Sequence, residues 1–512
     1  MPSTGRIEHP YDVTSNDSLF PQLRLPAALV RDLRRLNPWW EGQPSRQLPS
    51  TQRHLVKQIR RRLTSQLAPI VVVRGPRQIG KTTAQMHVVQ QLLGEGIHPR
   101  HVLRVQFDES EGLRKLDSPI LRIVDWYEQA VLGRTLNQVA EDGASTLLVF
   151  DEVQNLAEWA PQLKFLVDTS TTQVLVTGSS ALRIEMGRDS LAGRISTIDA
   201  GVLSLTEVAR FRGENLGDPF LADNGLEPLT KPEFWRELVV HGNSNAEIRD
   251  RAFSRFSERG GYPLVHRSDE PWGIIADQLN ETVIKRVIQH DLRIGERGRK
   301  RDPELLEEVF RLACRYVGQS PSNALLAREC NRALNAAVGD QRIANYLRFL
   351  GDSLLLRLVE PLEIRLKKKR GNAKVCLADH GLLASWLQEV VPLDRDSLRE
   401  QPDLSTLAGR IAESIVGALF GTVHGLDIAH LPERSGEPEV DFILTIGTRR
   451  IPVEVKYQSR VDPFRDTEGL RTFMEKTANN APFSILVTQT DVAESLDPRI
   501  VPISLPTLML LR

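Results

Sequence analysis

The chain has 512 residues, enough for about three domains at ~150 residues each. Its 66 Lys and Arg balance 66 Asp and Glu, and 41% of its residues are hydrophobic. These figures exclude a uniformly basic nucleic-acid coat, an acidic solvating tail and a chain too polar to bury a core, while leaving local basic faces open.

Cys314, Cys330 and Cys376 lie far apart without CxxC spacing, which points away from a disulfide framework and from a zinc site. No apolar run reaches the ~18 residues of a membrane span. The first ten residues, MPSTGRIEHP, lack the charged-then-apolar pattern of a secretory signal. A cytoplasmic location is the expectation.

Residues 1–50 form a Pro-rich N-terminal extension with an amphipathic stretch near 23–36 and a Trp39-Trp40 pair placed to cover the edge of the next domain. From 51 to 204, short β-branched runs at 70–73, 102–107, 147–150 and 174–177 alternate with helical patterns such as 81–93 and 120–131. That alternation predicts a parallel sheet covered by helices, an α/β core. Residues 205–295 read as a helical lid with a polar insertion around 214–230, and Gly260-Gly261-Tyr262-Pro263 is a turn. Within 296–395, three helices precede two strand-like runs at 354–358 and 374–377, the element order of a winged helix. Residues 396–512 read as a further α/β module.

The strongest motif is Gly75-Pro76-Arg77-Gln78-Ile79-Gly80-Lys81-Thr82, with Thr83 next, a full GxxxxGK[ST] between a strand and a helix. Glycines let backbone N–H groups curl around phosphate oxygens, and the helix N-terminus adds a favourable dipole. Lys81 is placed for the β- and γ-phosphates of ATP and Thr82 for Mg²⁺. The apolar run ending in Asp151-Glu152 has the Walker B pattern, with Asp151 for Mg²⁺ and Glu152 to polarise the attacking water. The strand at 174–177 leads to Thr177, Ser179 and Ser180, one of which can sit between the acids and the γ-phosphate. Ser179 is the favoured sensor. Arg194, in Leu191-Ala192-Gly193-Arg194, can reach a phosphate in cis or across a subunit interface, with Arg188 as its rival and a surface salt bridge as the plainer alternative.

GPRQIGKTT, LLVFDEVQ with Trp159 and Lys164, VLVTGSSA, LAGR and GGYP together resemble the prokaryotic AAA+ ATPase family with a C-terminal winged-helix and restriction-endonuclease-like region. The resemblance runs from about 50 to 490, and the segment at 214–250 departs from it. It implies an ATP-hydrolysing module that self-associates into a ring, with a hexamer as the expected form. Composition and spacing do not themselves show a ring.

Two basic stretches stand out. Residues 291–301 carry five cations and two acids, and residues 363–374 six cations and one acid. A wing bearing Arg365, Lys367, Lys368, Lys369 and Arg370 would lie along DNA phosphates and displace counterions. A helix near 340–350 would offer Gln341, Arg342 and Asn345 to a groove. A solvated loop or a protein-binding winged helix is the alternative. Downstream, Asp441 and the Glu454-Val455-Lys456 strand, with Glu413 on a preceding helix, resemble a PD-(D/E)xK nuclease core, in which carboxylates hold Mg²⁺ and the Lys orients water. Period-two alternation puts Glu454 and Lys456 on one face. An ordinary salt-bridge cluster is the alternative.

The expected function is an ATP-driven motor on duplex or branched DNA, acting in branch migration or remodelling. A nucleotide switch in signalling or defence that controls a partner or a dormant nuclease is the second reading. An ATP-dependent DNA endonuclease is the third.

Overall fold

The computed structural model describes residues 25–107, 113, 116–156, 158–178, 191–222, 225–267, 270–289, 302–363, 371–433, 438–458, 460–491 and 497–512. Five short strands make the first sheet: β1 (Ile70–Arg74), β2 (Val102–Gln106), β3 (Leu147–Asp151), β4 (Gln173–Gly178) and β5 (Ile195–Asp199). Their order is β2-β3-β4-β1-β5, and each neighbouring pair is parallel. Alternate residues feed two cores. Val71, Val73, Val149 and Leu175 pack with Leu55, Ile59 and Val88 from the helices His54–Ser65 and Lys81–Gly94. Ile70, Val72, Leu148 and Phe150 pack with Ile120, Ile123 and Leu163 from the helices Pro119–Tyr127 and Trp159–Thr169. Burial on both faces explains why these strands are nearly continuous apolar runs.

The edge strand β2 is closed by the N-terminal extension. Trp39 and Trp40 donate their indole N–H groups to Val102 O at 3.1 and 2.8 Å. Asn37 accepts from Arg104 N–H at 2.6 Å and donates to Arg104 O at 2.8 Å. An edge that could template another strand is thereby covered.

The helices Leu205–Phe211, Pro232–Ser244 and Ala246–Arg259 follow. The C-terminal end of the chain returns to hold them. Phe220 and Leu221 donate their N–H groups to Leu510 O and Leu511 O, each at 2.9 Å. Arg249 reaches Thr507 Oγ1 at 2.6 Å and Asp491 Oδ2 at 2.8 Å. A Cβ at Gly242 would lie 2.4 Å from Thr507 Cγ2, so only glycine lets this helix approach so closely. The segment expected as a polar insertion is thus tied to Leu510 and Leu511.

The helices Pro303–Arg315, Asn323–Leu334 and Asp340–Asp352 lead into antiparallel β6 (Leu356–Pro361) and β7 (Lys374–Leu377). This is the expected helix and strand order. The hairpin nevertheless departs from a free wing. β6 pairs in parallel with β8 (Asp427–Leu431) through Glu360–Ala429 and Pro361–His430. A seven-stranded sheet results, ordered β12-β11-β10-β9-β8-β6-β7, with β9 Val440–Ile446, β10 Arg449–Lys456, β11 Ser484–Thr488 and β12 Ile500–Ser504. The boundary expected at 395/396 therefore falls inside a unit whose sheet spans it. The long helix Ser405–Gly421 lies against the hairpin: Ser414 Oγ accepts Leu377 N–H at 2.8 Å, and a Cβ at Gly417 would lie 2.6 Å from Cys376 Sγ. Among the described residues, no helix is long and apolar enough to cross a membrane.

Two buried histidines make this fold acid-sensitive. His266 Nε2–H donates to Gly260 O at 2.8 Å, and His430 Nε2–H donates to Asn372 O at 3.0 Å. The Nδ1 atoms of both are buried without a hydrogen-bond partner. Burial pulls both pKa values down to about 4, with Arg212 adding to the fall at His266 and Lys374 at His430. The unfolded chain titrates near the ordinary ~6.5, so between these values it binds more protons than the fold does. Stability present above the unfolded pKa is lost as pH falls toward 4, by up to on the order of 3 kcal/mol per histidine. Thermal unfolding midpoints should drop steadily over that window, and His266→Gln should flatten part of the slope. A flat profile in both proteins would contradict the assignment.

Candidate functional site

The loop between β1 and the helix Lys81–Gly94 is shaped by backbone constraints. At Gly75, a Cβ would lie 2.4 Å from Ala200 O and 2.5 Å from Ile79 Cδ1. Gln78 and Gly80 have φ of +61° and +89°, left-handed values that curl the loop. Such a curl makes a concavity of backbone N–H groups suited to phosphate. Lys81 opens the helix and is buried, and its Nζ donates to Gly75 O at 2.8 Å and Pro76 O at 2.7 Å. Arg53 fixes the loop from below. It reaches Ile79 O at 2.6 Å, Gly201 O at 3.1 Å, Val202 O at 2.9 Å and both oxygens of Glu207 at 3.1 and 2.8 Å. Burial alone would raise the Glu207 pKa. Arg53 and the N–H groups of Ser204 and His54 outweigh it and hold the carboxyl below its usual range.

Asp151, at the end of β3, is fully buried. Its Oδ2 accepts from Thr82 Oγ1 at 2.9 Å and from Arg104 Nη2 at 3.1 Å. Its Oδ1 accepts from the Thr177 hydroxyl, which in turn accepts from Gln85 Nε2 at 3.0 Å. The hydroxyl and carboxylate expected to hold Mg²⁺ thus meet directly, a hard-oxygen donor set that fits the ion. Glu152 follows at φ +53° and accepts from Gln154 Nε2. A cleft of about 460 Å³ has Arg77, Gln78, Gly80, Lys81, Thr82, Thr83 and Glu152 on one side, and Pro263, Leu264, Arg267, Thr282 and Arg286 on the other.

Of the three hydroxyls expected at the end of β4, Thr177 is described and touches Asp151. Ser179 and Arg188 lie outside the described residues. Arg194 sits immediately before β5, its carbonyl accepting from Ile70 N–H at 3.1 Å, whereas the phosphate loop follows the far end of β1. Five residues of strand, about 16 Å, separate the two edges. Arg194 pairs with Asp168 at 2.5 Å, in the surface salt bridge weighed as the plainer alternative. Sequence reasoning also missed Arg104, Gln85, Arg267 and Arg286. For Arg104 a signal existed: it is a cation between apolar residues of a buried strand, which demands a partner.

In the C-terminal sheet, Glu413, Asp441, Glu454 and Lys456 do come together, and a further residue enters among them. Lys374 Nζ, from β7, bonds Glu413, lies 3.0 Å from Asp441 Oδ1 and 3.4 Å from Glu439 Oε1, and its side chain is 1% exposed. Asp441 Oδ2 accepts Val455 N–H at 2.8 Å, and Glu454 Oε1 accepts from Lys456 Nζ at 2.6 Å. Burial opposes charge on Lys374, yet Asp441, Glu413 and Glu439 hold its pKa well above the ordinary value. Burial and the nearby Asp441 raise Glu413, and push Glu454 up to about 8. Burial works against ionising Asp441, but Lys374, Glu413 and the Val455 N–H hold its pKa low. Among the described residues, no cluster of three or more His, Cys, Asp or Glu is arranged to hold a metal ion.

Lys374 is the last cation of the basic stretch 363–374 and the first residue of β7, and it is buried. Arg365, Lys367, Lys368, Lys369 and Arg370 lie outside the described residues, as does the basic stretch 291–301. On the helix Asp340–Asp352, Gln341, Arg342 and Asn345 are exposed. Arg342 lies 3.7 Å from Asp302 and over the Tyr346 ring at 5.8 Å.

Residues 67–209 match a family described as AAA domain. Residues 250–392 and 408–508 match two families described as domains of unknown function, DUF8612 and DUF4143. An uncharacterized protein of Haemophilus influenzae is 22% identical over 392 residues, covering 76% of this chain and 82% of that protein. Uncharacterized protein MJ1637 of Methanocaldococcus jannaschii is 24% identical, covering 73% and 72%. Uncharacterized protein Rv2008c of Mycobacterium tuberculosis is 24% identical, covering 69% of this chain and 63% of that protein. The crystal structure of Cdc6p from Pyrobaculum aerophilum covers 68% of this chain and 95% of its own at 11% identity and a TM-score of 0.24, too low to argue from. The parallel sheet, the phosphate loop and the first family match support an AAA-type ATPase domain, followed by a mixed-sheet C-terminal region.

The buried Arg104–Asp151 pair is testable by itself. Arg104→Met leaves Asp151 buried with hydroxyl partners alone and should lower stability by about 3–5 kcal/mol in urea denaturation. A loss below about 1 kcal/mol would show that Thr82 and Thr177 suffice.

Proposed function

We propose that the chain is an ATP-hydrolysing AAA+ motor that acts on DNA as a ring. The observation that carries this is the cleft lined by Lys81, Thr82 and Glu152 together with the lid residues Arg267 and Arg286, with Asp151 bonded to Thr82 just beneath it. In this reading the curled loop and Lys81 cradle the phosphates, with Lys81 exchanging its loop carbonyls for phosphate oxygens. Thr82 and Asp151 hold Mg²⁺, which when bound neutralises phosphate charge. Glu152 orients water and takes up its proton. Arg267 and Arg286 report the γ-phosphate to the lid. Arg194, at the opposite edge of the sheet, serves only the nucleotide of a neighbouring subunit.

Two contacts support transmission to the C-terminal region. Arg74, one residue before Gly75, pairs with Asp199, and Asp199 lies 3.5 Å from His424 Nδ1. Burial would raise Asp199, but His424 and Arg74 hold its carboxyl far below the usual range. Arg357 of β6 donates to Gly421 O, at the end of the helix that precedes His424. The exposed face of the helix Asp340–Asp352 and the basic stretches are the proposed DNA contacts, with the helices and hairpin acting as a winged helix. The interlocking of lid and C-terminal end favours one alternative, a nucleotide switch whose ATP state controls a partner. The endonuclease reading loses support where Lys374 fills the carboxylate cluster.

Glu152→Gln should bind ATP normally and hydrolyse it about 10²–10⁴-fold more slowly. Unchanged turnover would remove Glu152 from the mechanism. ATPase rates measured without DNA and with linear, forked and four-way DNA separate the two readings. Stimulation, strongest on branched DNA, is the motor's outcome; an equal rate on every form is the switch's and would overturn the motor.

A further inference from the structure

The carboxylates of the C-terminal sheet have the spacing of a metal-binding nuclease core, and ammonium groups already hold an oxygen of Glu413, Asp441 and Glu454, leaving Glu454 Oε2 buried without a hydrogen-bond partner. Lys374 Nζ holds Glu413 and Asp441 Oδ1, the latter at 3.0 Å. The second oxygen of Asp441 is held by Val455 N–H at 2.8 Å. Lys456 holds Glu454 at 2.6 Å. Mg²⁺ requires near-octahedral oxygens at about 2.0–2.1 Å and keeps several waters. An ammonium group bonded to the same carboxylates excludes both the geometry and the waters, and its charge repels a dication.

Lys374 is not a surface side chain folded in by chance. It is a strand residue, in register with Val359 across the hairpin. It lies over the Phe442 ring at 5.2 Å and is 1% exposed on its side chain. The hairpin is fixed on β8 by the Glu360 and Pro361 pairings, and on the helix carrying Glu413 by the Leu377–Ser414 hydrogen bond. Withdrawing the ammonium would require peeling β7 from that helix.

We propose that Lys374 is a resident cation in the place of a divalent metal, making this centre a metal-free structural lock between the hairpin and the C-terminal sheet. The carboxylates then hold the domain together rather than a catalytic ion. The inference stands whether or not the ATPase acts on DNA.

The test uses the full chain without nucleotide, titrated with Mn²⁺ and read by electron paramagnetic resonance. Manganese at Thr82 and Asp151 is a background common to all variants. Wild type and Asp441→Asn should bind the same amount. Manganese bound by wild type and absent from Asp441→Asn would overturn the proposal, without bearing on the ATP site. Lys374→Met should gain one site per chain, lost again in the Lys374→Met, Asp441→Asn double variant, and Mn²⁺ should raise its unfolding temperature but not that of the double variant. A folded Lys374→Met that takes up no more manganese than wild type would also overturn it. Should Lys374→Met fail to fold, the comparison of wild type with Asp441→Asn decides.

Discussion

Removing an ammonium group from water costs several kcal/mol, and only close carboxylates with good geometry offset it. Lys374 meets that condition with Glu413, Asp441 and Glu439, which come from a helix, a strand and the turn before that strand. Each partner is fixed in turn: Asp441 by Val455 N–H, the helix of Glu413 by its contact with β7. The short parallel pairing of β6 with β8 brings the hairpin into reach, and the ion cluster then holds it there. A hairpin that would otherwise swing as a wing becomes the edge of a sheet. Much of the arrangement after residue 350 follows from that one insertion.

The nucleotide cleft uses similar ingredients to the opposite end. Asp151 is buried like Asp441 and likewise has one cationic partner, Arg104 from β2, the counterpart of Lys374 at Asp441. Its other partners are the neutral hydroxyls of Thr82 and Thr177, which can share the carboxylate with an ion without repelling it. Lys81 is held by loop carbonyls, which are weak competitors for a cation against phosphate oxygens. One centre is therefore closed by its own ammonium groups, and the other is organised with its positive charge held in reserve. Spacing of acids in the sequence does not distinguish the two; the cation beside them does.

What was legible in the sequence was local. The phosphate loop, the strand leading to Asp151-Glu152 and the facing of Glu454 and Lys456 follow from short spacings and from strand period, and the expected strands of the first sheet all occur. What was not legible depends on distant pairing. Nothing in the run KKKRGNAK marks its last lysine as buried, because the mark is the register of β7 against a helix forty residues on. Arg194 reads as a phosphate contact until the parallel order of β1 and β5 places it at the wrong edge. The polar stretch after residue 214 reads as an insertion until Phe220 and Leu221 meet the backbone of the chain's last residues.

These long-range ties also decide how a change at the phosphate loop can travel. Gly75 is pressed beneath Ala200, and Arg53 links Ile79 O to Gly201 O, Val202 O and Glu207, so loop and post-β5 segment are tied together. The strand before that segment ends in Asp199, whose partners are Arg74 on the loop side and His424 beyond the long helix. The same helix bears Glu413, bonded to Lys374. Ion pairs and a single helix thus connect the loop to the C-terminal sheet, a contiguous path along which a shift of the loop would travel in the proposed motor. A locked carboxylate cluster midway along that helix is what such a lever needs, since a rigid anchor converts a small displacement into motion of the whole sheet. A labile metal site there would make the anchor depend on ion occupancy.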